Sequence, residues 1–276
     1  MSEYQCYEFV ALDRQLTAKE MTELRAVSTR AEITPTRFWN DYAWGDLKAD
    51  SAKLLERYFD AHSYVSNWGT RRLMLRIPAK AITARALRSY FVGDAAKVRA
   101  TGKYVIIDLI SSEEGADYHV EDEDNGTLTS LLPLRAELLR GDLRVCYLAW
   151  LLAVQAGDMA EDAMEPPVPA GLSKLTVAQK AMVEFLRIDE ALVAAAAAAS
   201  PVLTDDTPGL RAWVRALDGH AKDAWLARAV EEPDLALGAE LLRTFRQQVK
   251  APRRRARSVA SLIAAAEAKH AKARRA

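Results

Sequence analysis

Residues 64–77 read YVSNWGTRRLMLRI, two strand-like stretches on either side of a turn. The turn falls at Asn67-Trp68-Gly69, where glycine supplies the backbone freedom that a tight turn needs. After the turn, Leu73, Leu75 and Ile77 alternate with arginine and methionine. A period of two indicates a strand with one core face and one basic face. This stretch therefore predicts two strands joined by a turn.

The residues around these two strands predict further strands and short helices. Thr17 followed by Glu20 is a capping-box pattern that predicts a helix at 17–30, and Asp50 is suited to cap a second helix. Aromatic or β-branched alternation predicts strands at 4–10, 36–44, 97–100 and 104–110, and helical spacing predicts a helix at 83–91. In the strand at 36–44, Phe38, Asn40, Tyr42 and Trp44 are expected on one face.

The aromatic residues are concentrated in the first part of the chain, because 15 of the 21 Phe, Trp and Tyr residues precede Glu121. Alanine, leucine and arginine at helical spacing dominate the remainder, and they predict helices throughout it. The fold class is therefore α+β: a small, mainly antiparallel sheet with helices, then a helical-hairpin region and a basic helical tail. Helices are predicted at 128–140, 142–155, 177–199, 208–217, 222–229 and 235–249 and from Val259 onward.

The predicted domain organisation follows these changes in composition. An aromatic and basic α+β domain spans 1–112, and an acidic loop occupies 113–126. Connecting helices at 127–164 lead to a proline-rich linker at 165–171, which gives the clearest predicted boundary. The rest comprises the helical region at 172–250 and the basic tail at 251–276.

Charge is unevenly distributed along a chain of 276 residues whose formal net charge is zero. Residues 69–103 carry a net charge of +8, residues 113–124 carry −7, and residues 250–276 carry +8. Hydrophobic residues make up 50% of the chain and charged residues 28%, which is typical of a globular protein and excludes a disordered one. Local fields of this kind act on partners more than the overall charge does.

Metal, cofactor and thiol chemistry have little support in the sequence. The two cysteines, Cys6 and Cys146, are too few for a disulfide scaffold or a four-thiolate zinc site, and both are expected in the core. The four histidines are scattered, and only His119 lies beside acidic residues, in a loop without the pattern of a calcium site. No cofactor and no metal ligand are therefore predicted.

No catalytic residue is assigned from the sequence. The chain lacks a nucleophile-elbow motif, a Walker-type phosphate loop, a dinucleotide-binding glycine motif and a zinc-protease motif. An acid-base pair of carboxylates stays open as an alternative. The carboxylates near the aromatic residues are Asp41, Asp46, Asp50 and Asp60.

The sequence predicts a cytoplasmic protein without a membrane span. Residues 2–15 are polar and acidic, unlike the apolar centre of a signal peptide. The longest uncharged apolar stretches, 145–157 and 191–204, are shorter than the roughly 18 residues that span a bilayer.

The best candidate binding site combines arginines and tryptophans of the first domain. Arginine attracts phosphate and flat aromatic rings stack on bases, so this combination suits nucleic acid or another partner. The alternative is that the aromatic residues form a domain core and the arginines lie on a solvated sheet face. The residues concerned are Trp39, Trp44, Trp68, Arg71, Arg72 and Arg76.

The basic tail is a second candidate for partner binding. Its arginines are Arg253, Arg254, Arg255 and Arg257. Basic runs bind nucleic acid through counterion release, yet the same run also suits a solvated end or a contact with the acidic loop. All three interpretations stay open.

Residues 4–9 together with Asn67-Trp68-Gly69-Thr70-Arg71-Arg72-Leu73-Met74 resemble the amino-terminal domain of a family of uncharacterised bacterial proteins. The resemblance covers roughly the first 110 residues and, more loosely, the helical remainder. It implies a bacterial cytoplasmic origin and brings no activity, cofactor or site residue with it.

Three hypotheses on function follow. The preferred one is a non-enzymatic interaction or adaptor protein, whose helical hairpins and first domain offer surfaces to a protein partner. The second is association with nucleic acid through the basic-aromatic residues and the tail. The third is an enzyme with a site among the aromatic and acidic residues of the first domain. The sequence does not specify an oligomeric state.

Overall fold

The structure is a computed structural model that describes residues 4–113, 127–203, 207–231, 237–248 and 256–274. Its strands are β1 (Gln5–Val10), β2 (Glu32–Ile33), β3 (Arg37–Tyr42), β4 (Ala61–Ser66), β5 (Thr70–Pro78), β6 (Ala96–Thr101) and β7 (Tyr104–Ser112). Within the described residues these strands form one sheet in the order β2-β3-β1-β4-β5-β7-β6, and every pairing is antiparallel. The α+β fold class predicted from the sequence is confirmed.

Helices cover both faces of the sheet, and all the elements described after β7 are helices. The helices are α1 (Ala18–Val27), α2 (Ser51–Tyr58), α3 (Ala84–Leu87), α4 (Thr127–Leu131), α5 (Pro133–Leu139), α6 (Arg144–Gln155), α7 (Val177–Phe185), α8 (Glu190–Ala199), α9 (Thr207–Ala216), α10 (Gly219–Glu231), α11 (Leu237–Gln248) and α12 (Val259–Ala273). Among the described residues no helix is both long and apolar enough to cross a bilayer.

Each face of the sheet is covered by its own set of helices. On the first face, Phe9, Met74 and Ile106 pack in one cluster with Leu24 of α1 and Leu55 of α2. On the second face, the core side of the β5 hairpin packs with residues from α4 to α8 and from α12. The core residues of this second cluster include Leu73, Leu75, Ile77, Ile107, Trp150, Met182, Leu192 and Leu262. The sheet is thus the middle layer of three.

The local signals in the sequence predict the turns and caps correctly. The hairpin of β4 and β5 turns at Asn67-Trp68-Gly69, and that of β6 and β7 turns at Gly102. In α1, the Thr17 hydroxyl accepts from the Glu20 amide at 3.2 Å and the Glu20 carboxylate accepts from the Thr17 amide at 2.8 Å. The Asp50 carboxylate caps α2 by accepting from the Lys53 amide at 2.8 Å.

Several expectations differ from the structure. The basic face of β5 is only partly solvated, because α2 packs on it: Met74 and Arg76 are buried and Arg72 is half-buried. The helix expected at 128–140 is divided into α4 and α5. Trp44 lies beyond β3 and is exposed, whereas Phe38 is buried. The helix expected at 83–91 is the single turn α3, and that expected at 177–199 is divided into α7 and α8. The predicted acidic loop lies outside the described residues except for its first member.

The core continues across both predicted domain boundaries, at 112 and at 165–171. Residues of β5 and β7 share one apolar cluster with α7, α8 and α12, which follow the proline-rich segment. Glu165 in that segment is buried and accepts hydrogen bonds from the Tyr147 hydroxyl and the Arg257 guanidinium, each at 3.0 Å. The segment is therefore packed against α6 and the beginning of α12.

Candidate functional site

The register of the sheet places the ends of five strands together. Gln5 of β1 pairs with Tyr42 of β3 and with Ser66 of β4, while Thr70 of β5 pairs with Ser112 of β7. The loop that follows β3 carries Trp44, and the turn between β4 and β5 carries Trp68. We call this end of the sheet, including those two loops, the aromatic end.

Two of the three tryptophans predicted for the site are exposed at the aromatic end. Trp44 is 77% exposed and Trp68 is 44% exposed. Because neighbouring strands lie about 4.8 Å apart, the ends of β3 and β4, on either side of β1, are separated by roughly 10 Å. Trp39 is elsewhere: it lies in the middle of β3, half-buried, with the Arg37 guanidinium 5.9 Å from its ring.

A hydrogen-bond network fixes the loop that carries Trp44 to the sheet. The side-chain amide Nε2 of Gln5 donates to the Gly45 carbonyl at 2.5 Å, and the Tyr64 hydroxyl donates to Gln5 Oε1 at 3.0 Å. The Tyr7 hydroxyl lies 2.5 Å from the Asp46 carboxylate and 3.0 Å from Gln5 Oε1. A hydroxyl has one proton, so the shorter, charge-assisted bond to Asp46 is the one it donates.

Both tyrosines of this network remain protonated at neutral pH. Burial, together with the hydrogen bond to Asp46, raises the pKa of Tyr7 far above its usual value. Burial raises the pKa of Tyr64 to about 12. The two hydroxyls therefore act as permanent donors that hold Gln5 and Asp46 in place.

The turn that carries Trp68 is held on both sides. The Tyr4 amide donates to the Asn67 side chain at 3.0 Å, and the Gly69 amide donates to Ser66 at 3.2 Å. The Gly69 carbonyl accepts from the Arg187 guanidinium and from the Glu113 amide. Gly69 has a φ of +93°, and a Cβ there would lie 2.0 Å from the Glu113 carbonyl oxygen, so only glycine fits.

The three arginines of β5 are engaged within the protein. Arg71 is buried, donates to the Phe185 carbonyl at 3.2 Å and lies 5.8 Å from the Phe185 ring. Arg72 forms a two-pronged ion pair with Asp108, with N–O distances of 2.7 and 2.6 Å. Its hydrogen bonds with Asp108 raise the pKa of Arg72 further.

Arg76, the third of these arginines, belongs to a buried charge cluster around Asp60. The Asp60 carboxylate pairs with Arg76 at 2.8 Å and with Arg135 of α5 at 3.4 Å, and it accepts the Leu12 and Asp13 amides. Burial by itself raises the pKa of Asp60, yet the Asp13 amide and the two guanidinium groups outweigh it and lower that pKa. Asp60 is thus an ionised structural anion that joins α5 to the sheet.

Two other predicted carboxylates also have structural partners, Asp46 in the tyrosine network and Asp50 at the cap of α2. Within the described residues no group of three or more metal-ligating side chains is found. His119 and its acidic neighbours lie outside those residues. Both cysteines are buried, and burial raises the pKa of the Cys146 thiol, which is the opposite of what a reactive thiolate needs.

Of the tail arginines, Arg257 is described and the other three, Arg253, Arg254 and Arg255, lie outside the described residues. The Arg257 guanidinium pairs with the buried Glu165 carboxylate and donates to the Ala195 carbonyl at 3.0 Å. Its contacts join the beginning of α12 to the proline-rich segment and to α8. Arg257 therefore has a structural position in this fold.

Sequence reasoning missed the residues that support the aromatic end: Gln5, Tyr7, Tyr64 and Arg187. Arg187 lies where α7 ends, with a φ of +54°, and its guanidinium reaches Ser111 and Glu113 at the end of β7. A signal was present, because Asp189 precedes Glu190 and caps α8 by accepting from the Ala191 amide at 2.8 Å. That cap marks a second helix and thus a break before it.

Comparison of the chain with protein-family models, with curated proteins and with solved structures finds no significant match. The resemblance of residues 4–9 and 67–74 to uncharacterised bacterial proteins gains no support from these comparisons.

Proposed function

We propose that the chain is a non-enzymatic interaction protein of the bacterial cytoplasm, an adaptor that binds a protein partner at the aromatic end. The observation that carries this proposal is the joint exposure of Trp44 and Trp68 at one end of the sheet. Large aromatic side chains are unfavourable in water and are enriched among the residues that dominate protein interfaces. Two of them, on loops whose strand ends lie roughly 10 Å apart, supply a pair of anchors.

The rigidity of the frame supports the same proposal. Each tryptophan is carried by a loop whose backbone and neighbours are hydrogen-bonded to the sheet, through Gln5 and Asp46 on one side and Asn67 and Arg187 on the other. Binding sites that are ordered beforehand lose less conformational entropy when the partner arrives. The loops of the aromatic end are thus preorganised for binding.

The rival hypotheses receive less support at this place. Nucleic-acid binding needs guanidinium groups that face solvent, whereas Arg71 and Arg76 are buried and Arg72 is ion-paired. The enzyme alternative needs carboxylates free to transfer protons. Three of its four candidates, Asp46, Asp50 and Asp60, hold a tyrosine, a helix cap and two arginines. The fourth, Asp41, lies half-buried in β3, so no pair of unengaged carboxylates is left among the four. The protein-partner hypothesis requires only the exposed rings.

The experiment compares the wild-type chain with Trp44→Ala/Trp68→Ala as baits in quantitative affinity purification from a native bacterial extract. Both substitutions remove exposed rings, so unfolding curves of the two baits should coincide. Leu226→Ala is the matched control, because Leu226 is 66% exposed on α10, away from the sheet. A partner identified in this way is then purified and its affinity for each bait measured.

We expect one or more proteins to be retained by the wild-type and Leu226→Ala baits and to be lost with the tryptophan variant. Loss of one anchor at an interface typically weakens binding by about 2 kcal/mol, about thirtyfold in Kd. Identical protein sets on all three baits would contradict the proposal. A labelled single-stranded oligonucleotide that binds the wild-type chain and not the tryptophan variant would replace it with nucleic-acid binding.

A further inference from the structure

A groove separates α7 and α8 on the side of the molecule formed by the helices. Its volume is about 890 Å³, and its walls come mainly from one face of each helix. The α7 wall consists of Lys180, Val183 and Glu184, followed by Arg187 in the turn, and the α8 wall of Glu190, Val193, Ala194 and Ala197. The α8 set follows the spacing i, i+3, i+4, i+7, which places four contacts in a row along one face of that helix.

The base of the groove is apolar and well supported. Val183 and Ile188 are buried against the helical core, and Val193 packs against the same core. Leu172 and Leu175 complete the apolar lining. Ala194 and Ala197 are small, so a third helix can approach the α8 backbone closely. The groove thus has the shape and the lining of a site for one amphipathic helix.

The charges along the rim determine which kind of helix fits. Glu184 and Glu190 are exposed near the turn that joins α7 to α8, and in the described part of the chain neither carboxylate has an ion-pair partner. Two guanidinium groups lie nearby and are both engaged: that of Arg187 pairs with Glu113 at 3.2 Å, and that of Arg71 donates to the Glu184 and Phe185 backbone carbonyls. Lys180 is the remaining cation of the lining, one turn before Glu184. The end of the groove near the turn is therefore acidic.

We infer that this groove is a second docking surface and that its occupant is a basic amphipathic helix of a partner protein. Apolar residues at i, i+3 or i+4, and i+7 would fill the base, and Lys or Arg beside them would pair with Glu184 and Glu190. The α8 wall is ten residues long, about 15 Å, so roughly three turns of the partner helix lie in the groove. This inference goes beyond the aromatic end and does not depend on it.

The test uses the full chain and a defined probe. The probe is a fluorescein-labelled amphipathic peptide with leucines at helical spacing and lysines beside them, held helical by a hydrocarbon staple on its polar face. Two control peptides have the same residues in scrambled order, or glutamate in place of each lysine. Binding is measured by fluorescence anisotropy at low and at physiological salt.

Two variants block the groove by different means, and each has a matched control. Ala194→Arg fills an exposed position of the α8 wall, and its control is Ala227→Arg at an exposed position of α10. Glu184→Lys/Glu190→Lys reverses the acidic end, and its control is Glu267→Lys at an exposed position of α12. Thermal unfolding of all variants identifies any that do not fold, and the other groove variant then serves in its place.

We expect the basic peptide to bind the wild-type chain and to bind each groove variant at least about tenfold more weakly, a loss of about 1.4 kcal/mol. Control variants should bind it as the wild type does, and the charge-reversed groove should prefer the glutamate peptide. Trp44→Ala/Trp68→Ala should also bind it normally, so a failed affinity purification at the aromatic end leaves this result unaffected.

Three outcomes would overturn the inference. The first is no binding of the basic peptide by the wild-type chain, and the second is equal binding of the scrambled peptide or equal binding by Ala194→Arg. The third is self-association of the wild-type chain that Ala194→Arg abolishes, since the groove would then hold a second copy of this chain. Light scattering on both proteins measures that third outcome.

Discussion

His62 shows how the interior of the sheet controls a single titratable group. Its ring is fully buried and stacks on Phe9 with 3.9 Å between centroids. Nδ1 lies 2.9 Å from the Glu8 carbonyl, so Nδ1 carries the proton of the neutral ring, while the buried Nε2 has no hydrogen-bond partner among the residues that the structure describes. Burial, with a smaller effect from Arg72, lowers the pKa of His62 to about 3.

A pH dependence follows from that lowered pKa. Unfolded chains bind a proton at His62 below about pH 6.5 and the folded chain does not, so folding is opposed as the pH falls from about 6.5 towards 3. Wild-type stability should decrease by up to about 1.4 kcal/mol per pH unit from this residue alone. The comparison is with His62→Phe, which keeps a stacked ring and cannot titrate.

Urea unfolding of both proteins at several pH values measures the effect. Asp60 and the other carboxylates titrate in both proteins, so the difference between the two curves isolates His62. As the pH falls below 6.5, the free energy of unfolding should decrease less for His62→Phe than for the wild type. Parallel curves would show that His62 takes up its proton equally in the folded and unfolded chains.

At the scale of elements, the break between α7 and α8 positions both candidate surfaces. Arg187 has a left-handed backbone, which costs a residue with a side chain about 1–2 kcal/mol. The Gln155 side chain holds this turn by donating to the Arg187 carbonyl at 2.8 Å and accepting from the Asp189 amide at 2.7 Å. The Arg187 guanidinium then joins the turn to Gly69, next to Trp68.

Two substitutions at position 187 separate the backbone effect from the side-chain effect. Arg187→Ala and Arg187→Gly both lose the bonds to Gly69 and Glu113, so both should be less stable than the wild type. Glycine removes the backbone strain, but its greater conformational freedom in the unfolded chain cancels about 0.4–1 kcal/mol of that gain in stability. The glycine variant should therefore be the more stable of the two by about 0.5–1 kcal/mol.

Chemical denaturation of the two variants checks this order. The control pair is wild type and Ala264→Gly, at an exposed right-handed position of α12, which packs in the layered core, where glycine should instead cost about 1 kcal/mol. An alanine variant at 187 as stable as the glycine variant would mean that the turn relaxes to ordinary helical angles once the guanidinium is gone.

At the scale of the whole molecule, the helices and the sheet depend on each other. The second face of the sheet has its leucine, isoleucine and valine side chains buried under α4 to α8 and α12. The α9 to α11 segment differs: α10 has no buried residue, and Phe245 of α11 packs on Trp213 of α9 at 5.9 Å. The apolar burial that stabilises the fold therefore lies mainly in the sheet and the helices packed on its two faces.

A fragment of residues 1–113 tests this dependence, because it matches the first predicted domain, keeps only the single turn α3 on the second face and lacks α4 to α8 and α12. Exposure of that apolar face should leave it aggregated or loosely packed, with strong dye binding and poorly dispersed amide resonances. The matched comparison deletes 207–248 and joins the ends with a glycine-serine linker. That deletion should keep a cooperative unfolding transition. A well-dispersed spectrum from the 1–113 fragment would instead support an independent first domain.

Local patterns in the sequence predicted the elements wherever neighbours in the chain decide the structure. The β4–β5 hairpin, the Thr17 capping box and the Asp50 cap depend on residues a few positions apart, and all three are present. Trp44 and Trp68 were also identified as candidates from their surroundings in the sequence. Their exposure could not be predicted in the same way, because it depends on the packing of distant parts of the chain.

The sequence by itself determined the α+β class, most of the strands and helices, and the turn that carries Trp68, because turn residues and hydrophobic periodicity are local properties. Only the tertiary structure decided that three of the candidate arginines pair with residues inside the fold and do not face a partner. Arg71, Arg76 and Arg257 meet Phe185, Asp60 and Glu165, each more than ten residues away along the chain. A buried guanidinium is stable only where such a partner satisfies it, and pairing across the fold has no signature in local sequence.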